Sequence, residues 1–287
     1  MVERTFAKPR SMVCRGREFQ WGERTYLMGI INLALDSFSG DGLGDRPEKA
    51  LEQALVFEAQ GADIIDVGAE STRPGHTPIS AAQELSLLIP ALEQIVSRVK
   101  APVSVDTYKA EVARQALEAG ASMINDVWGP RVHPEMAGVV AKYRVPIVLM
   151  HNQITTEYGD LVPDVMDSLK SAAERVLKAG VPSENIILDP GIGFGKTADQ
   201  NLEILRRLRE FQALGFPLLV GTSRKSTIGL VLELPVDQRL EGTAATVALS
   251  IAGGADIVRV HDVKEMARVA KMSDAIVRDW RPQNWKR

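Results

Sequence analysis

Pro217-Leu218-Leu219-Val220-Gly221-Thr222-Ser223-Arg224-Lys225-Ser226 is the stretch on which the fold turns. A short apolar run breaks off into a hydroxyl, two cations and a second hydroxyl, so positive charge collects where a buried strand leaves a sheet. A helix starting there would point free backbone N–H groups the same way, which suits an anion. The run Asp256-Ile257-Val258-Arg259-Val260-His261-Asp262 repeats the design, a strand ending in a cation and a histidine. Cationic ends on two successive strands point to a phosphate site, and the (β/α)8 barrel places such a site after its last two strands.

Upstream of this stretch the same rhythm recurs. From Thr25 onward, eight short runs rich in Val, Ile or Leu occupy 26–33, 63–68, 102–106, 122–127, 146–150, 185–189, 217–221 and 256–261. Each suits a parallel strand buried on both faces. Helical patterns fill the gaps at 47–60, 81–98, 109–119, 135–142, 165–179, 200–212, 239–252 and 263–278. Glycine joints such as Gln60-Gly61-Ala62-Asp63 and Ala119-Gly120-Ala121-Ser122 suit the left-handed residue that ends a helix. Strict alternation over eight units predicts an α/β fold, a single (β/α)8 TIM barrel over residues 25–287. An open doubly wound sheet would want a Gly-rich phosphate loop after its first strand, and none follows residue 33. Residues 1–24 read as an extension with a hairpin turning at Gly16 and closing one end of the core.

Composition agrees. A chain of 287 residues, 45% hydrophobic, buries a large core without staples. The single cysteine, Cys14, rules out an internal disulfide and fits a reducing, cytoplasmic compartment. Met1-Val2-Glu3-Arg4 opens polar, which predicts no signal peptide, and no 18-residue apolar run predicts a membrane span. With 34 basic against 37 acidic residues, nothing directs the chain to nucleic acid or a membrane surface. Four scattered histidines and one cysteine give no zinc spacing.

In such a barrel the chemistry lies at the C-terminal ends of the strands. Asp106, Asn125 and Asp189 end the third, fourth and sixth strands and converge near the axis. Two carboxylates and an amide there suit a flat heterocycle bearing amide and amino groups, a guanidine-like edge above all. Lys225 can donate to the same ring. Arg259, His261 and Asn32 ring the mouth and suit a diphosphate, with Mg2+ held through few protein oxygens. Met150 ends the fifth strand and is the one methionine placed to touch a ligand. No Ser–His–Asp or Cys–His pair stands out as a nucleophile. Taken alone, Asp106 and Asp189 could merely cap turns, Asn125 could bond backbone, and His261 could pack at an interface; their convergence favours a site. His76, His133 and His151 read as structural or exposed, and Glu70 and Asp126 as supporting residues.

Five stretches carry a specific resemblance: Gly29–Leu33 with Asp36-Ser37-Phe38-Ser39, Gly68–Gly75 (GAESTRPG), Asp189–Lys196 (DPGIGFGK), Ser223–Ser226 (SRKS) and Arg259–Asp262 (RVHD). In order and position they resemble the dihydropteroate synthases. That resemblance implies a transferase of folate biosynthesis, joining 7,8-dihydropterin-6-ylmethyl diphosphate to 4-aminobenzoate and releasing diphosphate. It implies that Asp106, Asn125, Asp189, Lys225 and Met150 bind the pterin, and that Asn32, Thr72, Arg259 and His261 hold the diphosphate, with Mg2+ at Asn32. Thr72, Arg73, Pro74, Phe194 and Ser226 would build the aminobenzoate site, Lys225 bordering it. Lys225, Arg259 and His261, with Asp36 and Asp41 on the first loop, would carry the catalysis. A homodimer is implied as well, with the last helices as plausible packing faces.

One departure stands out: the family's Thr-Pro in the first loop is Ala34-Leu35 here, which removes a hydroxyl and a stiff residue from a loop that must close. Two rival expectations remain. A pterin-binding methyltransferase would pass the methyl of methyltetrahydrofolate to a corrinoid protein, and has no use for a diphosphate clamp. A catalytically silent pterin-binding homologue would serve as a partner protein.

Overall fold

The computed structural model describes residues 6–34, 42–44, 46–71, 77–129, 134–282 and 284–285. Its first elements are β1 (Ser11–Cys14) and β2 (Arg17–Gln20), an antiparallel hairpin. Arg15 and Gly16 turn it with φ of 49° and 73°, the left-handed pair that a two-residue hairpin turn requires.

Eight parallel strands follow: β3 (Tyr26–Asn32), β4 (Ile64–Gly68), β5 (Val103–Asp106), β6 (Met123–Asp126), β7 (Ile147–Met150), β8 (Ile186–Asp189), β9 (Leu219–Val220) and β10 (Ile257–Val260). They run in the order β8-β7-β6-β5-β4-β3-β10-β9. A parallel bridge between Leu188 and Leu218, with the Leu188 N–H donating to the Pro217 carbonyl at 2.9 Å, brings the two outer strands together. The sheet is a nearly closed barrel, as the alternation predicts.

The helices outside it are α1 (Pro47–Gln60), α2 (Ala81–Arg98), α3 (Ala110–Glu118), α4 (Glu135–Tyr143), α5 (Leu161–Lys178), α6 (Ala198–Arg206), α7 (Ser226–Leu232), α8 (Leu240–Ala252) and α9 (Val263–Val277). Three differ from the sequence reading. α5 starts four residues early because Pro163 falls in its first turn, where the missing N–H has no partner to lose. α6 gives way to a 3-10 stretch over Leu208–Leu214. The short α7 is inserted before α8. At Gly61, the left-handed cap expected after α1 is present, with φ of 100°.

Strand parity divides the core in two. Outward positions, such as Ile65, Val67, Val103, Val105 and Leu188, pack beneath the helices. Inward positions Tyr26, Met28, Ile64, Met123, Val148, Ile187, Leu219 and Ile257 form a separate apolar cluster with Met12, Cys14, Phe19 and Trp21 of the N-terminal segment. The hairpin therefore stoppers the N-terminal end of the barrel. Phe19 stacks near Trp21 and tilts against Tyr26, with ring centroids 6.0 and 4.9 Å apart. Lys8 adds an ion pair to buried Asp256 at 2.7 Å. An apolar, plugged lower barrel leaves the C-terminal end for chemistry.

Candidate active site

One step up, the inward positions of five strands turn polar. Asp66 of β4, Asp106 of β5, Asn125 of β6 and Asp189 of β8 are all buried, and Arg259 of β10 lies among them. The Arg259 Nε donates to Asp66 Oδ2 at 2.7 Å, and its Nη2 donates to Asp106 Oδ2 at 2.7 Å. The Asn125 Nδ2 donates to Asp66 Oδ2 at 3.1 Å. Asp189 Oδ1 accepts the Gly191 N–H at 2.7 Å. Asp106 Oδ1 is buried and has no partner among the described residues.

Asp66 escaped the sequence reading. It sits in the middle of Ile64-Ile65-Asp66-Val67-Gly68, where an apolar run was read as strand core on both faces. A carboxylate in such a run is the signal that could have found it, since a buried charge needs a partner. Its partner is Arg259, so the guanidinium turns down to the floor instead of ringing the mouth.

Burial sets the electrostatics. It pushes the Asp106 carboxyl up to about 7 against the opposing pull of Arg259. It raises Asp189 to about 6 although the Gly191 N–H favours the ionised form. It lowers Lys225 to about 8, with Arg259 adding repulsion and Asp189 and Asp106 resisting. Charged forms are penalised in this water-poor cup, which is the setting in which titrating groups become useful.

Above the floor, Lys225 Nζ lies 4.0 Å from the centre of the Phe194 ring, a cation–π contact. The loop bearing Phe194 is tied from beneath by Lys196. Its Nζ donates to the Gly191 and Phe194 carbonyls at 3.0 and 3.1 Å and lies 3.0 Å from His151 Nδ1. His151 is buried and supports the loop, and Lys196, to which the sequence reading gave no role, holds it. Gly191 must be glycine, because a Cβ there would come within 1.9 Å of the His151 carbonyl oxygen.

The two cationic motifs brace each other. The His261 N–H donates to Ser223 Oγ at 3.2 Å and its Nδ1 lies 2.9 Å from the same oxygen. Arg224 Nε donates to Asp262 Oδ2 at 3.1 Å. Glu70 accepts from Tyr108 OH at 2.9 Å and pairs with Lys109, which also reaches Glu84 at 2.6 Å. Asp126 Oδ1 accepts the Trp128 and Gly129 N–H groups, a supporting role.

One pocket gathers these residues. Asn32, Asp106, Asn125, Met150, Asp189, Phe194, Lys225, Ser226, Arg259 and His261 all line it, together with Glu70 and Ala34. Asp36, Asp41, Thr72, Arg73 and Pro74, like Leu35, His76 and His133, lie outside the described residues. Among the described residues, no group of three or more His, Cys, Asp or Glu is placed to hold a metal ion. A Mg2+ carried by substrate phosphates needs no such cage, and the Asn32 amide oxygen is a hard donor of the right type.

Residues 28–261 match the family described as pterin binding enzyme. The chain is 53% identical over 263 residues to the dihydropteroate synthase of Clostridium beijerinckii, covering 91% of this chain and 98% of that one. It is 49% identical to the Bacillus subtilis dihydropteroate synthase, covering 96% and 97%. Among solved structures, the Clostridium difficile dihydropteroate synthase in the presence of pteroic acid superposes with a TM-score of 0.87 at 49% identity, over 91% of this chain and 99% of that one. The Xanthomonas albilineans dihydropteroate synthase with 4-aminobenzoic acid gives 0.87 at 39% identity, over 93% and 98%. Strand-end motifs, barrel and relatives agree: the chain belongs to the pterin-binding enzymes, among the dihydropteroate synthases, transferases of folate biosynthesis.

Proposed function

We propose that this pocket divides the dihydropteroate synthase reaction between a pterin floor and a rim for diphosphate and 4-aminobenzoate. The observation that carries the floor is the buried, unpartnered Asp106 Oδ1, which lines the pocket beside Asn125 and Asp189. Such an acceptor calls for N–H donors from a ligand, and the guanidine-like edge of a pterin offers two. Met150 packs against the ring and Lys225 donates to it. Structures of relatives with pteroic acid and with 4-aminobenzoic acid support the assignment.

In the reaction, the aniline nitrogen of 4-aminobenzoate attacks the pterin methylene carbon. The C–O bond to diphosphate breaks, its electron pair leaves with diphosphate, and the nitrogen sheds a proton. An aniline nucleophile needs no strong base, so the chain's task is positioning and charge stabilisation. Asn32, Thr72 and His261 hold the diphosphate, and Arg259 joins them when its guanidinium turns up from Asp66 and Asp106. Asn32 would hold Mg2+, which would supply countercharge to the diphosphate. Asp36 and Asp41 supply negative charge that stabilises the electron-poor methylene. Phe194 and Ser226, with Thr72, Arg73 and Pro74, hold 4-aminobenzoate.

Pterin binding should depend on pH. The accepting carboxylates must be ionised, and burial raises Asp106 to about 7 and Asp189 to about 6. Affinity is therefore complete above these values and falls as pH drops through them, by about tenfold per unit for each group. Calorimetry with a pterin analogue between about pH 8 and pH 5.5 measures this, and Asp106→Asn should both weaken binding and flatten the profile. A pH-independent affinity in the unsubstituted protein would refute the floor.

A homodimer is supported by one face. Leu230 and Val231 of α7, Leu249 of α8, and Met272 and Ile276 of α9 are each at least 60% exposed on helices that pack side by side. Apolar side chains grouped this way mark an interaction surface. Sedimentation equilibrium should give twice the monomer mass, and Leu249→Glu should return it to one. A reducing, cytoplasmic setting is supported by the single cysteine. No helix among the described residues is long and apolar enough to cross a membrane.

A further inference from the structure

We propose that Arg239 is a positioning residue for Lys225, clamping the backbone that presents its ammonium to the pocket. The proposal rests on the reading of Lys225 given above. Arg239 stands where α8 begins and reaches back across the turn to α7. Its Nη1 donates to the carbonyls of Arg224 at 3.0 Å and Lys225 at 3.3 Å, and its Nε donates to the Leu234 carbonyl at 3.2 Å. One planar cation thus ties both ends of α7, a fork that a lysine could not reproduce.

The slot is built to receive it. A Cβ at Gly229 would lie 2.2 Å from Arg239 Nη2 and 2.4 Å from its Cζ. Inside a helix, glycine costs stability relative to alanine, so its presence in α7 is explained by the guanidinium lying against it. The segment it clamps is constrained already. Arg224 adopts φ of 57°, its N–H donates to Thr243 Oγ1 at 3.1 Å, and its side chain pairs with Asp262. Lys225 follows directly, so a loose Arg224 would swing the ammonium away from Arg259, Asp189 and Asp106, the charges that face it.

Steady-state kinetics and thermal melts on Arg239→Met, Gly229→Ala, the double variant and Lys225→Ala test this. Each of the first two should lose about tenfold in kcat/KM, the scale of a misplaced catalytic group. Gly229→Ala should melt close to the parent, the helical gain from alanine offsetting the lost hydrogen bonds of Arg239. The double variant should lose no more than the worse single one, since both remove one interaction. The alkaline limb of kcat/KM, set by Lys225 near pH 8, should move upward as the lysine leaves its half-buried seat. Parental kcat/KM in either single variant, multiplying losses in the double, or losses confined to variants that melt early would overturn the clamp. An active Lys225→Ala would instead overturn the reading beneath it.

Discussion

Lys225→Ala is expected to lose roughly 10²–10³-fold in kcat/KM, about 3–4 kcal/mol of transition-state stabilisation, while keeping its fold. The half-buried side chain lines the pocket beside the Phe194 ring and faces the charges of Arg259, Asp189 and Asp106. It is the only lysine among the described residues that line this pocket. The truncation removes a charged donor without leaving a bonded partner orphaned, so far-ultraviolet circular dichroism should be unchanged. A radiometric assay for dihydropteroate measures the loss. Turnover within an order of magnitude of the parent would remove Lys225 from the mechanism.

Arg259→Met is expected to act on stability as well as catalysis. Its guanidinium neutralises Asp66 and Asp106 at 2.7 Å each, and both carboxylates are buried. Removing one partner from such a network costs about 3–5 kcal/mol. The pH dependence follows from the direction of the shift. Asp106 is already raised from its ordinary 3.8 to about 7, and loss of the arginine raises it further. A buried carboxyl held above its unfolded value destabilises the fold at high pH, and that penalty disappears once both states are protonated below the ordinary value. The deficit in urea unfolding should therefore be largest near pH 8 and shrink steadily toward about pH 4. Adding Asp66→Asn should recover part of it. An equal deficit at both ends of the range would show that the loss comes from packing alone.

Much of this was legible in the sequence, for identifiable reasons. Short Val- and Ile-rich runs of one type, each followed by a polar turn, fixed the strands closely; the run at 146–150 becomes Ile147–Met150. The spacing of Arg259 and His261 put both on one side of their strand, and both line the pocket. Arginine direction was not legible, because period two assigns a face and says nothing about where a long flexible side chain turns. Asp66 was hidden by the same rule that found the strands, which treats an apolar run as uniformly core. A helix start after Lys225 was legible, but not the span of α7, because Ser226–Leu232 is too short for helical periodicity to emerge. Asp36, Asp41 and the stretch GAESTRPG were assigned roles only through family resemblance, because no local pattern marks them, and Asp36, Asp41 and residues 72–75 lie outside the described residues.

The stoppered lower barrel bears on the order in which the chain is made. β1 and β2 are translated first, yet the seat for Phe19 and Trp21 is assembled from residues as late as Leu219 and Ile257. While the ribosome is still working, these aromatic rings have no finished seat, and the nascent chain displays them as sticky apolar surface of the kind chaperones bind. Closure of the N-terminal end thus waits for almost the last strand. A prematurely terminated product lacking β10 would leave the hairpin undocked and would be marked for capture or degradation by its exposed aromatic rings.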